Sequence, residues 1–358
     1  DQPVAMENFS RRTFLCFCLL LMTVNHALNV LKQDGLQETR STNRYKRLFS
    51  LFTVVRFENF LCGGGLNGTC YTPQECSRRR GTAQGACAGG FGVCCIIFRS
   101  CTDTADMNNT YWHGSECNCE LLVGNSSRDI CQIRLDFDRF SLAQPNANGL
   151  CTDDQFIVTG VADQIPTICG ENTGQHMYVP VSTRGRQARL IISSNCNAFV
   201  QRQWLIKVAQ IPCCEYKAPT GCLQYFTSIS GQFRSFNYRP KDQGKKLSSQ
   251  DYSICIRPQE HYCGIRYSQC DPLSNDFSIG GANGDVEGAN SGVEGDACAQ
   301  DFITIPCASR INSHPATCTS ERFCGGSLNA EDTNSDVPAP VFSRAKPFVV
   351  GVMFDAND

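Results

Sequence analysis

The sequence predicts an all-β protein: a disulfide-rich N-terminal knob followed by two antiparallel β-sandwich domains. Three observations carry this. The chain of 358 residues contains 25 cysteines, a density that fits a disulfide-stapled protein of an oxidising compartment and not an ordinary cytosolic fold. Apolar residues alternate with polar ones in short runs bounded by turn formers, without a sustained helical period. One series of elements, a cysteine leading into an aspartate-bearing apolar strand and then Cys-Gly, occurs twice. The length suggests two or three domains, since single cores stop growing at about 250–300 residues. A hydrophobic content of 41% is enough to build cores and excludes disorder across the whole chain. The 32 Lys+Arg against 34 Asp+Glu leave a net charge of -2, without the basic excess of a nucleic-acid binder.

The N-terminus sets the compartment. From Met6, Arg11 and Arg12 precede an apolar run, Thr13 to Val24, that ends near Asn25-His26-Ala27. This is the order of a secretory signal peptide, residues 6–27. The run is shorter than the roughly 20 residues of a membrane span, and no later stretch is long enough for an anchor. A secreted, extracellular, oxidised protein is expected. Loss of Cys16 and Cys18 with the signal leaves 23 of the 25 cysteines. Arg44-Tyr45-Lys46-Arg47 has the R-x-K-R form that subtilisin-like proprotein convertases cut. Residues 28–56 therefore read as a propeptide or a flexible arm, and an uncut basic tail is the alternative.

Residues 57–100 hold Cys62, Cys70, Cys76, Cys87, Cys94 and Cys95 among Gly63-Gly64-Gly65, Gly81, Gly85 and Gly89-Gly90. Too few apolar residues accompany them for a core, so loop-closing bridges must replace burial. Zinc is discounted because the chain has no C-x2-C pair. Six cysteines ending in an adjacent pair allow 15 connectivities. The pattern resembles the clip-type modules of arthropod secreted proteins, although the gap between the third and fourth cysteines is shorter than usual there. That resemblance implies the pairs Cys62–Cys94, Cys70–Cys87 and Cys76–Cys95.

Residues 101–216 read as a first sandwich. Ile133, Leu135 and Phe137 alternate with Arg134, Asp136 and Asp138, and Trp204, Ile206 and Val208 alternate in the same way. The order Leu135-Asp136-Phe137-Asp138-Arg139-Phe140-Ser141-Leu142, then Cys151-Thr152-Asp153-Asp154-Gln155-Phe156, then Ile168-Cys169-Gly170 resembles a CUB domain. The resemblance implies bridges Cys101–Cys131 and Cys151–Cys169. Residues 217–358 repeat the theme with Ser253-Ile254-Cys255, Cys263-Gly264-Ile265-Arg266-Tyr267, Cys298-Ala299-Gln300-Asp301-Phe302 and Phe323-Cys324-Gly325. The bridge Cys298–Cys324 would match Cys151–Cys169. The near-tandem Gly-rich stretch within 280–297 is expected to be a disordered loop. The final strand, Phe348 to Phe354, is not followed by the GF-containing strand with which CUB domains close, so this domain is expected to be C-terminally incomplete. The odd cysteine count agrees, since one partner would then lie beyond Asp358. The clip-like module and two CUB-like domains together look like arthropod secreted CUB-domain proteins over most of the mature chain.

No catalytic template fits. Neither Gly284-Asp285 nor Gly295-Asp296 continues as Ser-Gly, so the serine-protease nucleophile context is missing. His26, His113, His176, His261 and His314 are scattered and form no H-E-x-x-H spacing. His176, in a strand-like run, reads as a packed or edge-strand residue. No phosphate loop occurs, and a cysteine nucleophile is disfavoured where thiols are bridged. Many CUB domains bind calcium, and the resemblance makes Asp154 and Asp301 weak candidates. In the first copy, however, Ala143 stands where a Glu belongs and Asn195 where an Asp belongs. One carboxylate of three falls short of the six to eight oxygens that calcium takes, and no cofactor is expected. Asn67, Asn108 and Asn125 open N-x-[ST] triplets among turn residues and are candidate glycosylation sites.

The expectation is a secreted, non-catalytic recognition or adhesion protein that meets extracellular protein or glycan partners through sandwich-edge loops. The alternative is the regulatory N-terminal part of a CUB-containing serine protease zymogen. No nucleic acid and no membrane anchor are expected.

Overall fold

The computed structural model describes residues 60–181, 187–196, 199–213, 217–239, 245–270, 276–279, 298–309, 321–330 and 338–356. The chain divides into two compact units, Asp1–Val55 and Arg56–Asp358. The first unit lies outside the described residues, and with it the expected signal peptide and processing site at Arg44, Lys46 and Arg47. The loop expected at 280–297 lies outside them too.

The knob contains β1 (Phe60–Leu61), β2 (Asn67–Tyr71), a short helix α1 (Pro73–Arg78), β3 (Gly81–Cys87) and β4 (Gly92–Arg99). The Thr72 hydroxyl accepts from the Glu75 amide at 3.2 Å, and Pro73 opens the helix where its missing N–H costs nothing. Cys62 is bonded to Cys94, Cys70 to Cys87 and Cys76 to Cys95, the three pairs implied by the clip-like pattern. These sulfurs take the place of a core and press on the backbone. A Cβ at Gly68 would lie 2.4 Å from Cys62 Sγ, and one at Gly81 would lie 2.3 Å from Cys95 Sγ.

The first sandwich follows with β5 (Thr104–Ala105), β6 (Thr110–Gly114), β7 (Cys119–Val123), β8 (Ile130–Ser141), β9 (Asp154–Thr159), β10 (His176–Pro180), β11 (Ala188–Ser194) and β12 (Gln203–Pro212). One sheet runs β1-β2-β4-β6-β12-β8-β10 with β3 on β4, and the facing sheet runs β5-β7-β11-β9. The knob therefore shares a sheet with the sandwich, through parallel pairing of β4 with β6 at Ile97 and Thr110. Tyr111 is buried at this seam, and its hydroxyl accepts from the Asn67 amide at 2.8 Å.

On β8, Ile133, Leu135 and Phe137 point into the core, as alternation requires. The alternation then breaks, because Phe140 is also fully buried. The cause is a β-bulge: Leu205 of β12 faces Arg139 and Ile206 faces Phe137, leaving Asp138 as the extra residue. The F-x-x-F spacing in the sequence is the trace of this bulge. Phe137, Phe140 and Phe156 pack with ring centroids 4.8 to 5.8 Å apart.

The expected bridge Cys101–Cys131 does not form; Cys101 is bonded to Cys119 and Cys131 to Cys213. Strand pairing dictates this. β5 lies parallel to β7, which carries Cys101 to the start of β7, while Cys131 at the head of β8 stands beside the end of β12. Cys117–Cys196 and Cys151–Cys169 are the other bridges of this sandwich among the described residues.

The second sandwich contains β13 (Cys222–Phe226), β14 (Gln250–Ile256), β15 (Ile265–Tyr267), β16 (Phe302–Thr304), β17 (Arg322–Phe323), β18 (Val341–Ser343) and β19 (Phe348–Phe354). Its larger sheet, β13-β14-β19-β16-β17, repeats the plan of β5-β7-β11-β9, down to a parallel first pair. Cys222–Cys255 stands for Cys101–Cys119, and Cys298–Cys324 for Cys151–Cys169. The pair β15–β18 stands for β8–β10. Among the described residues no strand stands for β6 or β12.

The two sandwiches share one continuous apolar core and a seam of buried polar contacts. Gln132 and the Ala218 backbone exchange hydrogen bonds of 2.9 and 2.8 Å. Asn237, fully buried at a positive φ of 60°, is a hub of the seam. Its amide donates to Asn172 Oδ1 at 2.7 Å, its Oδ1 accepts from the Glu171 amide at 2.9 Å, and its Nδ2 donates to Gln144 and to the Lys245 carbonyl.

Candidate functional site

The side chains of β8, β10 and β12 that point away from the core floor a cleft of about 510 Å³ on the outer sheet face. Arg134 and Asp136 are two apart on β8 and so share that face. Arg134 Nε lies 2.7 Å from Asp136 Oδ1, and Lys207 Nζ, from the facing β12, lies 2.9 Å from Oδ2. Arg134 also donates to the Tyr178 hydroxyl at 3.0 Å and lies 5.3 Å from the centre of its ring. Burial raises the pKa of Asp136, but the two cations outweigh it and hold the carboxyl below its ordinary value.

Asp138 differs. The bulge turns it to the exposed rim of the cleft, and it has no hydrogen-bond partner among the described residues. Partial burial, with Asp136 nearby, raises its pKa even though Lys207 opposes the shift. The cleft thus presents a carboxylate without a hydrogen-bond partner beside two cations that share the one carboxylate of Asp136, with Ala209 and Ile211 as apolar lining.

His176 closes the end of the cleft next to the second sandwich. Desolvation, with Arg134 adding to it, pushes its pKa down to about 4, so the ring is neutral at physiological pH. Its Nε2 lies 3.1 Å from the Tyr225 amide, a donor it can accept. The ring packs edge-on against Tyr178 and Phe226 with centroids 5.6 and 4.9 Å away. This is a packed histidine that clamps β10 to β13. No hydroxyl or thiol bonds to a histidine among the described residues; His113 is exposed against Phe98, and His26 and His314 lie outside them. Cys101, Glu116 and Cys119 cluster, but the two cysteines are bonded to each other and offer no thiolate for a metal.

The residues at the two calcium positions do not fit the ion. Asp154 is fully buried at the start of β9; its Oδ1 meets Arg202 Nε at 2.8 Å and its Oδ2 accepts from the Ala143 amide at 2.9 Å. Asn195 turns instead to Asp153, donating to Oδ1 at 2.6 Å. In the second sandwich, Asp301 Oδ2 is paired with Lys246 Nζ and Oδ1 accepts from the Asp355 amide at 2.8 Å. Each central carboxylate already has both oxygens engaged and holds a cation of its own chain. Neither Arg202 nor Lys246 stands out in sequence; each reaches its carboxylate from a separate loop.

Asn108 lies exposed in a turn and Asn125 exposed in the loop after β7. Asn67 differs from expectation: it begins β2 and is half-buried against β1, because the chain enters the strand directly after the Gly63-Gly64-Gly65 turn.

Residues 219–358, the second sandwich, match the family described as the animal CUB domain, so a CUB domain is present there. Among solved structures, the CUB1-EGF-CUB2 domains of rat MASP-1 are similar at 13% identity, covering 71% of this chain and 96% of that one, with a TM-score of 0.23. The CUB1-EGF-CUB2 domain of human MASP-1/3 is similar at 15% identity, covering 71% and 89%, with a TM-score of 0.21. No curated protein matches the chain. No helix among the described residues is long and apolar enough to cross a membrane.

Proposed function

We propose that this is a secreted, non-catalytic recognition protein that binds extracellular protein or glycan partners. The knob and first sandwich act as one rigid sheet, and the second sandwich is clamped to it. The observation that carries the reading is the outer-face cleft. Its charges are fixed on strands, Arg134 and Lys207 both held by Asp136, while the Asp138 carboxylate stands without a hydrogen-bond partner at the rim. A cleft of this kind suits a basic or hydroxyl-rich group of a partner, placed against Tyr178 and Ile211, and provides nothing to break a bond. A cysteine-rich chain that carries a CUB domain suits an oxidising, extracellular setting.

The test is a binding screen of the purified protein against extracellular proteins and glycans, repeated with Asp138→Lys. The variant should keep the wild-type melting temperature and lose about tenfold or more in affinity for a partner. Unchanged affinity for every partner would place recognition elsewhere, and turnover of a bound partner would make the protein an enzyme.

A further inference from the structure

The knob carries three consecutive arginines, Arg78-Arg79-Arg80, where α1 turns into β3. This turn is pinned from both sides. The Cys76–Cys95 bridge ties the helix to β4, and the chain closes on the helix end, the Arg79 amide donating to the Glu75 carbonyl at 3.1 Å and the Arg80 amide to the Ser77 carbonyl at 3.0 Å. Gly81 then pairs with Ile97 of β4. Because β3 and β4 are antiparallel, Arg99, two residues past Ile97, returns to the same turn. Its Nη2 donates to the Arg79 carbonyl at 3.4 Å, its Nη1 to the Phe98 carbonyl at 2.8 Å and its Nε to the Thr104 carbonyl at 3.2 Å. Backbone carbonyls therefore fix this guanidinium without neutralising it, and one N–H on each terminal nitrogen is left over.

The four cations are not equivalent. Arg79 is engaged within the knob, paired with Glu75 at 2.8 Å and lying 4.5 Å from the centre of the Tyr71 ring. Arg78 and Arg80 are exposed and, like Arg99, have no carboxylate partner among the described residues. Of the acids around them, Glu75 is held by Arg79, Asp103 accepts from the Ser100 amide at 2.9 Å, and Asp106 acts on Arg79. A rigid surface thus offers three uncompensated guanidinium groups in a chain whose net charge is -2.

We propose that Arg78, Arg80 and Arg99 form a binding surface for a sulfated polysaccharide. A guanidinium fork matches paired anionic oxygens. One exposed arginine gains at most about 1 kcal/mol from one anion, so affinity on an open surface requires a ligand that repeats its charges and meets several arginines at once. A surface fixed beforehand by a disulfide and backbone hydrogen bonds loses little freedom on binding. A nucleic acid would draw further affinity from base stacking, but the neighbouring ring, Tyr71, is covered by Arg79. This surface lies on the knob and does not depend on the cleft.

The probe is a heparin octasaccharide offered to the intact protein at low salt. Arg78→Ser/Arg80→Ser should lose about tenfold or more in affinity, and the slope of log affinity on log salt should fall by about 1 to 2. Arg128→Ser/Arg266→Ser, which removes the same charge from exposed positions on the two sandwiches, should bind as wild type does. In the wild-type protein the octasaccharide should slow phenylglyoxal labelling of Arg78 and Arg80 and leave Arg128 unchanged. Absence of binding, an equal loss in both double variants, or equal affinity for the desulfated octasaccharide would each overturn the proposal. Tighter binding of phosphatidylserine vesicles or of single-stranded DNA, with the same dependence on Arg78 and Arg80, would overturn it in favour of a lipid or a nucleic acid.

Discussion

Replacing Arg202 with alanine removes the cation that neutralises Asp154. Asp154 is fully buried, its second oxygen is held by the Ala143 amide, and Arg202 Nε is 2.8 Å from the first. A buried carboxylate stripped of its partner typically costs about 3–5 kcal/mol. At roughly 2–4 °C of melting temperature per kcal/mol for a domain of this size, the variant should melt about 6–20 °C below wild type. The assay is thermal unfolding followed by circular dichroism without reductant, in millimolar calcium and in chelator. If calcium occupied these sites in the wild type with a dissociation constant a hundredfold below the added concentration, it would stabilise by about 2.7 kcal/mol. With the tethered cations in place the two wild-type curves should coincide. A wild-type midpoint several degrees higher in calcium, or an Arg202→Ala midpoint equal to wild type, would refute the reasoning.

His176 makes stability depend on pH. Its pKa falls from the ordinary 6.5 to about 4 in the folded protein, so the unfolded chain binds the extra proton. Stability is complete above pH 6.5 and falls toward pH 4, by about 3 kcal/mol in all at about 1.4 kcal/mol per unit; urea midpoints should show this slope, and His176→Gln should flatten it. Asn237→Ala removes three side-chain hydrogen bonds at a buried positive-φ position and should cost about 3 kcal/mol, read in urea as a lower midpoint or as two transitions if the sandwiches separate. Peptide mapping of the oxidised protein should recover Cys101 with Cys119 and Cys131 with Cys213, and recovery of a Cys101–Cys131 peptide would contradict the pairing of β5 with β7.

Much of the fold can be read along the chain because its signals are local. The F-x-x-F break marks the bulge, the alternation on β8 and β12 marks the core faces, and the doubled Cys-to-Cys-Gly pattern marks the two copies. What stayed hidden depends on distant segments meeting. Cys101 could not be paired without knowing that β5 lies parallel to β7, and three parallel strand pairs interrupt sheets that alternation reads as antiparallel. Arg202 and Lys246 reach their carboxylates across 48 and 55 residues. Asn237 sits in a segment with no period at all. The cleft was half visible, since Arg134, Asp136 and Asp138 form the polar side of one strand. Lys207 of β12 and His176 of β10 turn that side into a site, and this needs the register of both neighbours.

Carboxyl-group footprinting of the protein with a partner bound tests the central claim most directly. The partner should slow labelling of Asp138 at the cleft rim while Glu116 and Asp129, exposed in loops at the ends of the sandwich, label as before. Protection of the loop carboxylates with Asp138 still labelled at its free rate would contradict it.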